Sequence, residues 1–500
     1  MDVKFVAKVG ARLKLFLAGF SDCFNRIEPR EHLETYVRGQ VSSLERKSVE
    51  PMALEAGTPP RTLQRFLEQV EWDESRLRDR TQQLVAQEYA DPKAIGVIDE
   101  SGNPKNGKHT ACVARQWCGN TGKIDNCVVG VHTSFVAGDF QALLDSDLYM
   151  PESWATDLRR RRAAYIPDDI EFRKKTEIAL GQVRRALSNG IRVAAWTFDE
   201  FYGRDSEFLD GLLESGQNFV AEVPSTFRGW LKEPQVLHRP TPQEMRKHGR
   251  KRKFPRLAKK SSPACEVRNL FKYSPTFRKQ SWQPFRIKDG EKGPMVWEVK
   301  HAKFYRKRHD GLPSQAHYLI VARNVLDRNE VKYFMSNMLP STPGVSIEWL
   351  LWIGFSRHPI EDCFKQAKDE LGMDHFEVRG WRSIHRHFYI SQLSYLFCSR
   401  VRQELQIKKN DGQRVPDRRD GPRGGIGLRR GMGVAAVSAS EDLSESGRQN
   451  FVPPASQPTS SKIAYEDDAQ PTTCTRDRCR HVAILRTDRH LVGLNQLINS

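Results

Sequence analysis

Five hundred residues exceed one comfortable hydrophobic core, so two or three domains are expected. Apolar residues make up 38% and no run of eighteen occurs, which excludes membrane-spanning helices and any membrane partner of that kind. The formal charge is +18, and residues 225–312 alone hold 24 Lys and Arg against 7 Asp and Glu, so nearly the whole excess sits in one segment suited to a polyanion. Nine cysteines, an odd number, do not make a disulfide framework. His109, Cys112, Cys118 and Cys127 match no zinc spacing, and Cys474, Cys479 and His481 lack a fourth ligand.

Taken from the N-terminus, residues 5–20 form an apolar stretch broken by Lys8, Arg12 and Lys14. That reads as an amphipathic helix rather than an export signal, so the cytosol is the expected compartment. Residues 1–90 as a whole read as helices. Within them a short helix ends at Gly57, Pro59 and Pro60 make a turn, and a second helix opens on Thr62. This is the outline of a helix-turn-helix, with Arg61, Gln64 and Arg65 placed to meet DNA. An ordinary helical hairpin has the same outline.

Three strand-like runs follow, at 94–99, about 110–117 and 128–136, separated by turns rich in Gly, Asn and Lys. Residues 139–167 are polar, with four arginines at 159–162, and read as a solvated loop. A helix over 170–188 stops at Asn189-Gly190; a strand at 192–198, a helix over 205–215 and a strand at 219–224 come next. The runs ending in Asp99 and Asp199 each place an acid where a buried strand runs out, the usual place for site residues in α/β sheets.

Residues 225–344 have mostly strand composition, interleaved with Trp230, Trp282, Phe285 and Trp297. Inside them, 246–260 holds nine Lys or Arg in fifteen positions, with Arg250, Lys251, Arg252 and Lys253 at its middle. In so basic and aromatic a setting the run reads as a phosphate contact rather than a solvated loop. Pro359 is tolerated only in a helix's first turn, so a helix starts close to Ser356 or His358. Ile360, Phe364, Ala367 and Leu371 give it an apolar stripe, while Glu361 and Lys368 lie two turns apart on one face. Arg357 precedes Glu361 by one turn. A carboxylate between two cations suits a divalent ion with phosphate beside it; a salt-bridged surface helix has the same spacing. Beyond residue 405 the chain is rich in Gly, Ser and Pro without apolar periodicity, like a disordered tail.

Asp99, Asp199 and Glu361 together make an oxygen-only ligand set suited to Mg²⁺ or Mn²⁺. In order and surroundings these acids resemble those of the DDE transposases of bacterial insertion sequences. One branch of that family carries Tyr-x₂-Arg-x₃-Glu-x₆-Lys around its glutamate. Arg357, Glu361 and Lys368 match, and Gly354 stands at the tyrosine position. The phrases IDESGNPKNGKHTACVARQWCGNTGKIDNC and KDELGMDHFEVRGW are similar too, and the likeness spans roughly residues 30–405.

The resemblance implies an α/β fold. A ribonuclease-H-like mixed-sheet catalytic core would occupy 91–224 and 345–405, with a mostly β insertion at 225–344. A helical N-terminal DNA-binding domain would occupy 1–90, and a disordered C-terminal tail 406–500. It also implies metal-dependent cleavage of double-stranded DNA at element ends and strand transfer, by a homodimer working on the nucleoid in the bacterial cytosol. Asp99, Asp199 and Glu361 would then hold two Mg²⁺ or Mn²⁺ ions about 4 Å apart. Arg357 and Lys368 would hold the flanking phosphates. A decayed or domesticated copy acting only as a DNA-binding protein is the alternative.

Overall fold

Among the described residues five α-helices precede the first strand: α1 (Val9–Ala18), α2 (Ile27–Gln40), α3 (Val49–Glu55), α4 (Pro60–Glu68) and α5 (Glu74–Glu88). The computed structural model describes residues 8–246, 254–290, 293–356 and 358–413. The packing below lies within one compact unit that takes in residues 1–411. In α1, Val9, Leu13 and Leu17 recur every fourth residue and are buried, which is the amphipathic helix expected. Between α3 and α4, Gly57 takes φ +63° and Pro60 occupies the first helical position. The second helix therefore opens two residues before Thr62, where proline's fixed φ and missing N–H are no penalty.

The catalytic-core region expected from the sequence is a mixed sheet. Its strands are β1 (Ile95–Pro104), β2 (Ala114–Cys118), β3 (Lys123–Ala137), β4 (Phe140–Leu148), β5 (Ala195–Phe198) and β6 (Phe219–Glu222). Helix α6 (Lys175–Ser188) precedes β5 and α7 (Ser206–Glu214) precedes β6. The order β4-β3-β1-β5-β6, with β3 antiparallel to β1 and β5 parallel to it, is ribonuclease-H-like. Gly96 makes the β1–β5 contact possible: a Cβ there would sit 2.3 Å from the Trp196 ring.

Two expectations are corrected here. The solvated loop expected over 139–167 is β4 followed by two short helices, Glu152–Ala155 and Leu158–Ala163. β4 escaped notice because its core face carries two buried acids, Asp145 and Asp147, which pair with Arg185 of α6. Nor is the arginine run solvated throughout. Arg161 is buried and donates to the carbonyls of Pro167 (2.9 Å) and Ile170 (2.6 Å), while Arg160 lies 3.8 Å over the Trp154 ring. Helix α6 also starts at Lys175 rather than 170, where the Glu177 carboxylate accepts from the Lys174 amide at 2.8 Å.

Apart from a small separate hairpin pairing Val236–Leu237 with Arg256–Leu257, the described strands of the basic segment continue the same sheet. They are β7 (Arg228–Trp230), β8 (Cys265–Glu266), β9 (Gln283–Gly290), β10 (Gly293–Lys307), β11 (Pro313–Asn324) and β12 (Val331–Ser336). The full order is β8-β7-β10-β11-β12-β6-β5-β1-β3-β2, with β9 on β10 and β4 on β3. Two of the tryptophans of this segment are core residues. Trp230 and Trp297 are each 4% exposed, and Trp297 packs against Phe355 at 4.7 Å.

Three helices end the described residues: α8 (Ile347–Phe355), α9 (His358–Asp369) and α10 (Trp381–Gln413). Gly354, at the tyrosine position of the signature, lies where α8 presses on the sheet. A Cβ there would come within 2.9 Å of Phe334 and 3.3 Å of Val220, so no larger side chain fits. Phe364, Ala367 and Leu371 are buried, as the stripe on α9 demanded. α10 runs past residue 405; the expected tail from 414 onward lies outside the described residues. No described helix is long and apolar enough to cross a membrane.

Candidate active site

β1 and β5 run parallel with Ile95 opposite Ala195 and Val97 opposite Thr197. The same offset carried two residues on sets Asp99 level with Asp199, on neighbouring chains about 4.8 Å apart. At Asp199 the chain leaves the sheet into a short helix, Glu200–Gly203. Its Oδ1 caps that helix, accepting from the Phe201 amide (3.0 Å) and the Tyr202 amide (3.3 Å). Asp99 Oδ1 accepts from the Glu100 amide at 2.8 Å. From α9, Glu361 in the first turn and Lys368 two turns later complete the walls of an open cleft of about 450 Å³. Asp99, Asp199, Glu361 and Lys368 thus line one cleft, although they come from distant parts of the sequence.

The floor is built from residues that sequence reasoning did not single out. His132 on β3 stands directly opposite Asp99 and is fully buried. Its Nδ1 pairs with Ser146 Oγ at 2.6 Å, and Gln392 of α10 donates to the same hydroxyl at 2.6 Å. The Phe364 and Phe388 rings pack edge-on against it at 5.0 and 5.7 Å. Burial, reinforced by the Lys368 ammonium, pushes the His132 pKa down to about 3, so the imidazole is neutral. Burial also lowers the Lys368 pKa, while Asp374, and more weakly Asp99, pull it back up.

On the opposite side of β1, Glu100 pairs with Lys175 of α6 at 2.8 Å. Tyr202 is fully buried, and among the described residues its hydroxyl has no hydrogen-bond partner. Burial raises its pKa, and Glu100, Asp99 and Asp199 add to the rise, so this neutral hydroxyl stands near three carboxylates. The turn holding it is clamped: a Cβ on Gly203 would lie 1.9 Å from the Glu222 carbonyl oxygen. Trp117, 57% exposed, lines the carboxylate cleft as well.

Among the described residues no three of His, Cys, Asp and Glu are gathered closely enough to hold an ion. Asp99, Asp199 and Glu361 share a cleft without forming a collected ligand set. The donor chemistry still fits a hard divalent ion, since every candidate ligand is a carboxylate oxygen.

The remaining expected site residues divide. Arg61 and Gln64 of α4 line a separate open cleft of about 690 Å³, together with His109, Tyr165 and Arg379. Arg65 turns instead to Gln69 on its own helix at 3.2 Å. Arg357 and the run Arg250, Lys251, Arg252 and Lys253 lie outside the described residues.

Asp199 follows the end of β5 as expected, whereas Asp99 lies mid-strand because β1 runs on to Pro104 along β3; with Glu361 on the covering helix, this ribonuclease-H-like layout is that of a DDE endonuclease. The chain belongs to the DDE superfamily endonuclease family, whose family model matches residues 19–294. That match takes in Asp99 and Asp199 and ends before Glu361. Over 189 residues the chain is 31% identical to a probable transposase for insertion sequence element IS701 of Microchaete diplosiphon, covering 37% of this chain and 47% of the relative. The chain therefore spans about half the length of that curated relative. A solved structure of piggyBac transposase, in a synaptic complex with hairpin DNA, matches over 84% of each chain at 10% identity and a TM-score of 0.30.

Proposed function

We propose that this protein is an insertion-sequence transposase that cleaves double-stranded DNA at element ends and joins the freed 3′ hydroxyl to a target. The observation that carries the reading is the convergence of Asp99, Asp199, Glu361 and Lys368 on one cleft. Asp99, Asp199 and Glu361 would hold two Mg²⁺ or Mn²⁺ ions, which supply an activated oxygen nucleophile and charge neutralisation for displacement at phosphorus. Lys368 would present a cation to the phosphate, and Arg357, four positions before Glu361 in the sequence, would do the same. The helix cap at Asp199 fixes its carboxylate orientation, and the floor of His132, Ser146 and Gln392 keeps Asp99 and α9 in register.

In this reading residues 1–90 bind DNA through Arg61, Gln64 and Arg65, and residues 225–344 are an insertion whose Arg250, Lys251, Arg252 and Lys253 meet phosphates. Residues 91–224 with 345–405 are the catalytic domain, and two copies act on paired ends in the bacterial cytosol. The test is a supercoiled plasmid carrying the gene with its flanking DNA, incubated with the purified chain in Mg²⁺ and, separately, with excess EDTA. Nicks at the edges of flanking inverted repeats are expected in Mg²⁺ and none with EDTA. Binding without nicking in either Mg²⁺ or Mn²⁺ would leave the DNA-binding alternative and contradict the enzyme.

The clamp on Gly203 gives a sharper check. Gly203→Ala must push the turn off the Glu222 carbonyl, displacing Asp199, and is expected to slow nicking by about 10²-fold. The overpacking should also lower stability by about 1–3 kcal/mol. Thermal unfolding and the nicking rate measured on one preparation decide it; unchanged values of both would show that the turn is not held there.

A further inference from the structure

The stretch that joins α9 to α10, residues 370–377, is held by side chains from elsewhere in the chain. α9 ends on Gly372, whose φ of +67° turns the backbone out of the helix and whose amide donates to the Lys368 carbonyl at 3.0 Å. Lys47, between α2 and α3 and only 2% exposed, donates from Nζ to the Glu370 carbonyl. Its amide donates to His375 Nδ1 at 3.0 Å, and a Cβ on Gly372 would lie 2.6 Å from the Lys47 Cβ. Lys105, directly after β1, donates to the Asp374 (3.2 Å) and Phe376 (2.8 Å) carbonyls and lies 3.4 Å over the Phe376 ring. A carbonyl can only accept, so His387 of α10 donates from Nε2 to Met373 O (3.0 Å). Its Nδ1 is left to accept from the Tyr36 hydroxyl of α2 at 2.8 Å.

Burial draws the Lys47 and Lys105 pKa values down to about 8, while Glu370 and Asp374 respectively pull them back up, so both ammoniums persist at neutral pH. Charge is kept here against a desolvation cost, although a neutral imidazole serves the Met373 carbonyl between them. The stripe of Phe364, Ala367 and Leu371 keeps α9 on the core. Hydrophobic contact is non-directional, however, and resists sliding along the helix axis only weakly. Hydrogen bonds at one end are directional and set that position. Lys105 follows the strand that carries Asp99, and Lys47 holds the turn just after Lys368, so these bonds tie together two walls of the carboxylate cleft. We propose that Lys47 and Lys105 are positioning residues of the candidate active site, setting α9 along its axis so that Glu361 and Lys368 face Asp99 and Asp199. The inference rests on the proposed DNA-cleaving function.

The experiment uses the full chain with Lys47→Met or, separately, Lys105→Met, each close to lysine in shape and without the charge. Mn²⁺ binding is read without DNA, from the electron paramagnetic resonance of the free ion. Nicking of the supercoiled plasmid carrying the flanking DNA is read on the same preparation. Each variant should bind Mn²⁺ about 10-fold more weakly and nick about 10- to 100-fold more slowly in saturating Mn²⁺, with DNA affinity changed by no more than about twofold. Arg46→Ala removes a surface pair with Glu377 (2.5 Å) next to Lys47 and should leave all three values within about twofold. Unchanged Mn²⁺ binding in both lysine variants, an equal change in Arg46→Ala, or failure of both lysine variants to fold by circular dichroism would overturn the proposal. The last would make the lysines supports of the fold rather than of the site. If the unsubstituted chain binds Mn²⁺ and nicks DNA, such a failure falls on this inference alone; if it does neither, the DNA-cleaving function fails with it.

Discussion

Asp99→Asn, Asp199→Asn and Glu361→Gln are each expected to lower DNA cleavage by about 10³-fold or more while DNA binding stays largely intact. Each substitution keeps the shape of the side chain and removes one negative charge and one hard oxygen donor. Asn at position 199 keeps an amide oxygen able to cap the Glu200–Gly203 helix at the Phe201 and Tyr202 amides, so the turn should persist. Glu361 is exposed in the first turn of α9, where Gln is also accommodated. Cleavage of labelled flanking DNA in Mg²⁺, with a mobility shift on the same protein, reads the two effects separately. Full cleavage by any one variant would remove that residue from the site.

The second large effect is on stability. Arg386 of α10 is 0% exposed, yet its guanidinium donates to the carbonyls of Phe66 (3.0 Å), Leu67 (3.2 Å), Val70 (2.8 Å) and Trp72 (3.3 Å) and to Glu74 Oε2 (3.1 Å). It also lies 4.5 Å over the Trp72 ring. Burial draws its pKa down to about 10, against the pull of Glu74, so it stays protonated at neutral pH. One side chain thus binds the end of α4 and the start of α5 to the longest helix of the catalytic core. Arg386→Met takes this donor from the Leu67 and Val70 carbonyls and leaves Glu74 without its buried cation, while Phe66 O keeps the Trp72 indole N–H and Trp72 O the Glu74 amide; it is expected to destabilise the chain by about 3–5 kcal/mol. Against a total of about 5–15 kcal/mol, that shifts a denaturant midpoint far down or prevents soluble expression. Lys is not expected to rescue it, because a single ammonium cannot reproduce the planar fork. A loss below about 1 kcal/mol would show that the contact is incidental.

These two predictions draw on residues of very different visibility. Asp199 could be read directly as an acid at a strand end; Asp99 was legible as an acid on a buried strand, but not its place in mid-strand, because the polar residues up to Pro104 that extend β1 pair with β3. The α9 stripe of Phe364, Ala367 and Leu371 was readable because its helical period is intact. β4 was not, because Asp145 and Asp147 are buried against Arg185, an ion pairing made by a helix some forty residues later. Charged residues read as surface until their partner is known. Arg161 and Arg386 were hidden in the same way, each holding backbone carbonyls in the interior.

The places of Trp230 and Trp297 were open in the sequence. Aromatic residues in a basic segment suit both a nucleic-acid face and a hydrophobic core, and the burial that decides between them comes from long-range strand pairing. His132, Tyr202 and the Glu100–Lys175 pair belong to the site only through sheet register and the α6 contact, which no local pattern in the sequence encodes.

The central claim is that three acids from β1, the end of β5 and α9 act as one divalent-ion site. Ferrous ion substituted for Mg²⁺, with ascorbate and peroxide, cuts a polypeptide close to where the ion binds and reads this without any DNA. The expected result is backbone cleavage near Asp99, Asp199 and Glu361 together, suppressed by excess Mg²⁺ and lost at all three places in Asp199→Asn. Cuts near only one of the acids, cuts elsewhere in the chain, or a pattern unaffected by Asp199→Asn would contradict it.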